Sequence, residues 1–213
     1  MTQTISSIRR RGLLGLVFAA SAGAVPMRMA AAADASVPVQ QLNTALLVSM
    51  KAGSGMSFAQ RFATLTPVLE QTFDLDAVLA ASIGLSWPTL PNDQKAQLLA
   101  AFRRYTVASY AANFNSDSGQ TFQISGSLRS VGDGEVVVPT KLVSTDGSAV
   151  RLDYVMRDGP SGWKAVDVLA DGSISRVAVQ RSDFRHLMAS GGVPALMVAL
   201  EQKVSSLSGG MNA

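Results

Sequence analysis

"AVRLDYVMRDGPSGWKAVDVLADGSIS", residues 149–175, decides the fold class. Along its first part, Leu152, Tyr154 and Met156 fall on one side, while Arg151, Asp153 and Arg157 fall on the other. A period of two is a strand's, with one face toward a core and one toward water. "GWKAVDVLA" (162–170) reads as a second strand, and the short, glycine-bearing "DGPSG" (158–162) makes the two a hairpin. Working toward the N-terminus, "TFQISGSL" (121–128) and "EVVVPTKLV" (135–143) are two further strands, linked through "GDG" (132–134) and "TDGS" (145–148). The expectation is a four-stranded antiparallel meander, apolar on the side that faces the rest of the chain.

Upstream of Gln120 the period is helical. "QKAQLLAAFRRYTVASYAANF" (94–114) carries Leu98, Phe102, Tyr105 and Ser109 on one stripe, with Leu99, Thr106 and Tyr110 beside it. Asn92 or Asp93 can cap this helix, which runs for about 20 residues, or about 30 Å. Before it, Asp74 and Gly84 bracket a short helix, "DLDAVLAASIG" (74–84). Phe58, Phe62, Leu65 and Leu69 define another, with Pro67 bending or restarting it. Leu42, Ala45, Leu46 and Ser49 define a first helix that stops at Gly53 and Gly55, behind a short disordered lead over 34–38. After "ADGS", Val177 and Val179 fit a strand, but Arg181, Phe184, Leu187 and Met188 continue at helical spacing, and helix is favoured. Gly191 and Gly192 end it, and "VPALMVALEQKVSSL" (193–207) is a final amphipathic helix. The whole reads as one α+β domain over 34–208, helices–sheet–helices, with 209–213 a frayed tail.

The first 33 residues read as an export signal. Arg9, Arg10 and Arg11 precede an apolar run, and the alanines before Asp34 offer a cleavage site near Ala33. The arginines fit a twin-arginine start only loosely, so the general export route is favoured. An uncleaved anchor is the alternative, although Pro26 and Arg28 interrupt the apolar stretch. The segment holds four of the 18 Lys and Arg and none of the 15 Asp and Glu, so its removal takes the net charge from +3 to −1. The mature chain therefore makes no electrostatic case for nucleic acid. With no cysteine and one histidine, His186, the chain excludes disulfides, thiolate chemistry and most metal clusters; no cofactor is expected.

Asp167 and Asp171 invite a catalytic reading, but four residues along a strand separate them by about 13 Å. Asp171-Gly172 reads as turn chemistry, and Asp167 as a carboxylate paired with Lys or Arg, or a rim or buried polar group.

The pieces in order resemble the MlaC-type family of periplasmic phospholipid carriers, also described as toluene-tolerance auxiliary proteins. Phe73-Asp74, Gly84, Trp87, Gln94, Leu98, Phe102, Tyr105 and Ser109-Tyr110-Ala111 follow the family's helical block. "VRLDYVMRDGPSGWKAVDVLADGSIS" is similar to its strand block, Arg181-Ser182-Asp183-Phe184 to its R-S-x-F, and Gly191, Gly192, Leu196 and Leu200 to its closing motif. The likeness spans about 40–205. Asp171 where Glu is usual, Ser173-Ile174 for Val-Ser, and "SWP" at 86–88 are departures that leave the lipid open. The hopanoid-associated HpnM subgroup is a second candidate.

The resemblance implies a curved antiparallel sheet wrapped by N- and C-terminal helices around an apolar cavity. Lipid tails would occupy that cavity, lined by Leu98, Phe102, Tyr105, Leu152, Tyr154 and Met156. It also implies partners: a phospholipid, an outer-membrane lipid-handling complex, and the MCE-domain subunit of an inner-membrane ABC transporter. The same six side chains read equally as solid core. Trp87 and Trp163 are packing anchors or lipid contacts; Arg103 and Arg104 are a solvated face or a contact to headgroup or transporter; His186 is an exposed helix residue. Two other functions stay open: an enzyme on a hopanoid- or steroid-like substrate, with Asp167 as base and Tyr154 as donor, and a scaffold with a filled core.

Overall fold

The computed structural model describes residues 25–209, with side chains from Ala35 onward. Helix α1 (Val25–Ala52) buries Ala35, Val39, Leu42, Leu46 and Met50 on one face, a run of three- and four-residue steps. This corrects the lead expected over 34–38: those residues are helical, and Pro38 sits inside the helix because packing begins already at Ala35. The expected export signal falls on residues 1–24, outside the described ones, and on the first residues of α1. Of the expected frayed tail, 210–213 also lie outside.

Ser57 and Gln60 form a reciprocal capping box that starts α2 (Phe58–Thr72), and the helix continues through Pro67. Asp74 accepts the N–H of Ala77 at 2.9 Å to open α3 (Leu75–Ile83), and Gly84, at φ 71°, closes it. A 3₁₀ segment (Gly84–Thr89) leads to α4 (Asn92–Asn113), about 33 Å long at 1.5 Å per residue. Its N-cap is Pro91 rather than Asn92 or Asp93, and no side chain caps it.

Seven strands follow where four are expected: β1 (Thr121–Ile124), β2 (Arg129–Gly132), β3 (Glu135–Val138), β4 (Thr140–Val143), β5 (Ala149–Gly159), β6 (Gly162–Ala170) and β7 (Ile174–Ser175). The first expected strand, 121–128, ends at Ile124, and β2 lies beyond it; the second is broken. Pro139 has no N–H for a ladder, so it splits 135–143 into β3 and β4. All pairings are antiparallel, and β5 is the spine: β3 and β4 pair with its two halves on one edge and β6 on the other. The remaining strands extend the rim, with β1 on β4, β2 on β3 and β7 on β6. Helix α5 (Arg176–Leu207) kinks at Gly192, whose φ of 62° and ψ of −153° are open mainly to glycine. The helical reading of this segment holds, preceded by the two-residue β7.

Helix α1 lies against β1, β3, β5 and β6, while α4 packs on α2 and α5. The inner sheet face, including Val138, Tyr154, Met156 and Ala165, joins the helices in the main core. The outer face is not uniformly wet, contrary to the alternation read from β5. Val137, Val155 and Val166 are buried there with Ala77 of α3 against them. Asp153 is also fully buried on that face, where it binds Arg151 at 2.6 Å and Arg129 at 3.5 Å. Its second oxygen accepts the N–H of Thr140, just past the break at Pro139. Among the described residues no helix is long and apolar enough to cross a membrane.

Candidate functional site

A cavity of about 340 Å³ lies between α4, the inner face of β5 and β6, and the start of α5. Four neighbouring facts of sequence build it. Phe73 is drawn onto the sheet by a bridge to Ala165, with Asp74 N–H donating to the Ala165 carbonyl at 3.0 Å, so the α2–α3 junction forms one wall. The pleat of β5 turns Leu152 and Tyr154 inward. Helix α4 contributes Phe102, Tyr105, Thr106, Ser109, Tyr110, Asn113 and Phe114. On its cavity face Thr106 and Ser109 stand where larger apolar groups would fill the space, and their small side chains leave it open.

Aromatic rings brace the walls. Phe73 packs on Tyr110 and Tyr154 with centroids 5.9 and 6.1 Å apart, and Tyr110 stacks on Phe114 at 5.6 Å. The Tyr154 and Tyr110 hydroxyls interact with each other in this wall. Burial pushes both phenols well above the ordinary tyrosine value of 10.0; the positive charge of Arg176 partly opposes this at Tyr110. Asn113 and Arg176 are the exposed liners and mark where the cavity opens.

Of the six residues expected to line a lipid cavity, Phe102, Tyr105, Leu152 and Tyr154 do line this one. Leu98 and Met156 do not. Leu98 lies one helical turn before Phe102 and Met156 one pleat beyond Tyr154, and both are fully buried in solid core. Sequence reasoning missed Tyr110, Phe114, Phe73, Val168 and Arg176. The signal for the first two was present: Phe102, Thr106, Ser109, Tyr110 and Asn113 keep helical spacing on one face, and the hydroxylated members mark unfilled volume.

Asp167 lines the cavity but is not paired with Lys or Arg. A bulge in β6 opposite Val155–Met156 aims it at the N-terminus of α5. There it accepts from Val168 N–H (2.7 Å), Val177 N–H (3.1 Å) and the Ser175 hydroxyl (2.5 Å). Ser175 in turn accepts the N–H of Ala178, so the carboxylate and the serine cap the helix together. Asp171, at φ 52°, forms the turn between β6 and β7. Trp87 and Trp163 pack against the core outside the cavity, Arg103 pairs with Asp76 at 3.6 Å, and His186 is exposed. Among the described residues no cluster of His, Cys, Asp and Glu could hold a metal. A shallower hollow of about 450 Å³ lies on the outer sheet face, flanked by the Glu135–Arg157 ion pair.

A helix-covered antiparallel sheet with an aromatic, largely apolar cavity is the architecture of a binding protein for a hydrophobic ligand. The MlaC family model matches residues 40–202, and the chain belongs to the MlaC family. The fold is also that of the phospholipid-binding protein from Ralstonia solanacearum, solved in complex with a phospholipid. That structure superposes with a TM-score of 0.70 at 22 % identity, covering 82 % of this chain and 99 % of the other. No curated protein matches the chain in sequence.

Proposed function

We propose that this chain is a periplasmic carrier that holds the acyl tails of a phospholipid in the cavity between α4 and the β5–β6 hairpin. The observation that carries the reading is the cavity itself, because a scaffold would fill this volume with side chains. Burying a methylene contributes about 0.8 kcal/mol, so a tail of about 16 carbons gains roughly 12 kcal/mol on leaving water. A lipid crosses an aqueous compartment at a useful rate only inside a shelter of comparable value. Membership of the MlaC family and a fold shared with a phospholipid complex support the same reading. In this proposal residues 1–33 direct export and are cleaved. The carrier then moves lipid between an outer-membrane complex and the MCE-domain subunit of an inner-membrane ABC transporter.

Against the enzyme reading, the Asp167 carboxylate already serves three donors at the start of α5. Transfer of a labelled phospholipid from donor to acceptor vesicles tests the proposal. The protein should raise the transfer rate in proportion to its concentration; a rate no higher than spontaneous exchange would sink the idea.

A further inference from the structure

The cavity has two charged liners, and only one is engaged. Asp167 is committed to the cap of α5. Arg176, the first residue of that helix, makes no hydrogen bond or ion pair among the described residues. Other arginines do: Arg103 binds Asp76, Arg129 and Arg151 bind Asp153, Arg157 binds Glu135, and Arg181 donates to the Ala81 carbonyl. A guanidinium left free at the opening of an apolar cavity is poised for an anion.

Its neighbours in the lining are polar as well. Gln180, one turn further along α5, also lines the cavity and is held in place by Ser82 at 3.1 Å. Tyr110 lines the same cavity, where the positive charge of Arg176 acts on its hydroxyl. An opening whose unengaged charge is a guanidinium, with its one carboxylate already satisfied, matches an acceptor-only anion better than a hydroxyl.

We propose that Arg176 is the headgroup ligand and sets specificity: it binds an anionic phosphate oxygen attached where the tails begin, and so favours phospholipids over lipids of equal tail length whose polar end is only hydroxylated. This rests on the reading that tails occupy the cavity. The carrier then discriminates at its opening, by charge, while the apolar interior accepts any tail that fits. Neutral polycyclic lipids such as hopanoids are disfavoured by the same contact, since they leave the guanidinium unpaired.

Native mass spectrometry of the delipidated full chain tests this, with dioleoyl phosphatidic acid and dioleoylglycerol as probes because their tails are identical. Wild type should prefer the phosphate-bearing lipid by about ten- to a hundredfold, the range of a charge-assisted contact. Arg176→Gln should bring that preference down to within about threefold, and Arg176→Lys should restore part of it. An unchanged preference in Arg176→Gln overturns the assignment. So does complete displacement of phosphatidic acid by excess inorganic phosphate, which would make this a free-phosphate site. Equal uptake of both lipids by wild type overturns the headgroup role alone, whereas uptake of neither overturns the tail cavity with it.

Discussion

Replacing Ser109 by tryptophan should empty the carrier without unfolding it. Ser109 lines the cavity from α4, and its hydroxyl only donates back to the Tyr105 carbonyl at 2.8 Å, a bond within the helix whose loss costs little. The indole adds about eight non-hydrogen atoms, which displace roughly four methylenes of a tail, or about 3 kcal/mol at 0.8 kcal/mol each. Lipid retention should therefore fall about a hundredfold. Met156→Trp is the contrast, because Met156 is fully buried outside the cavity. Forcing a larger ring into solid core costs about 1–3 kcal/mol of stability. The assay pairs the lipid-bound fraction by native mass spectrometry with the urea midpoint. Ser109→Trp should lose lipid at an unchanged or higher midpoint, while Met156→Trp should lower the midpoint. If Ser109→Trp keeps its lipid, the tails lie elsewhere; if it unfolds, α4 has no room and the volume argument fails.

Three further perturbations test individual parts. Asp167→Ala removes the acceptor for three donors at the start of α5 and should cost about 1–3 kcal/mol in urea unfolding, with lipid binding retained; an unchanged midpoint would show that the cap is dispensable. Tyr154→Phe should cost about 1 kcal/mol at neutral pH by removing a buried hydroxyl that interacts with Tyr110. Because the folded phenols titrate above the 10.0 of unfolded tyrosine, their contribution is intact below that pH and is lost as pH rises past it. Wild type should thus lose more stability than Tyr154→Phe between about pH 8 and about pH 10.5, and parallel losses would contradict the assignment. Gly192→Ala places a side chain at φ 62° and ψ −153° and should cost about 1–3 kcal/mol; a variant as stable as wild type would mean that the α5 kink is not strained for other residues.

Much of this fold was legible because local chemistry and tertiary structure agree. Asp74 and Gly84 cap α3 as their residue types require, and the period of two in 149–170 is the β5–β6 hairpin. The strand count was not legible from hydrophobic pattern alone, since Pro139 breaks a ladder just after a continuous run of valines, and β2 and β7 are short and largely exposed. The buried outer face was hidden for a different reason. Asp153 reads as a solvent residue, and its burial follows from Arg129, Arg151 and the N–H of Thr140 converging on it. The cavity was half legible: the large side chains of α4 and β5 point to a core, but only small Thr106 and Ser109 say that part of it is empty. Asp167 could not be assigned from its strand position, because its partners depend on how β6, β7 and α5 meet in space.

The central claim is that this cavity holds acyl tails, and the most direct measurement is mass spectrometry of the lipid extracted from protein purified without detergent. The account predicts phospholipid at about one molecule per chain, lost in Ser109→Trp. Protein that carries no lipid, and takes none up from phospholipid vesicles, would contradict it.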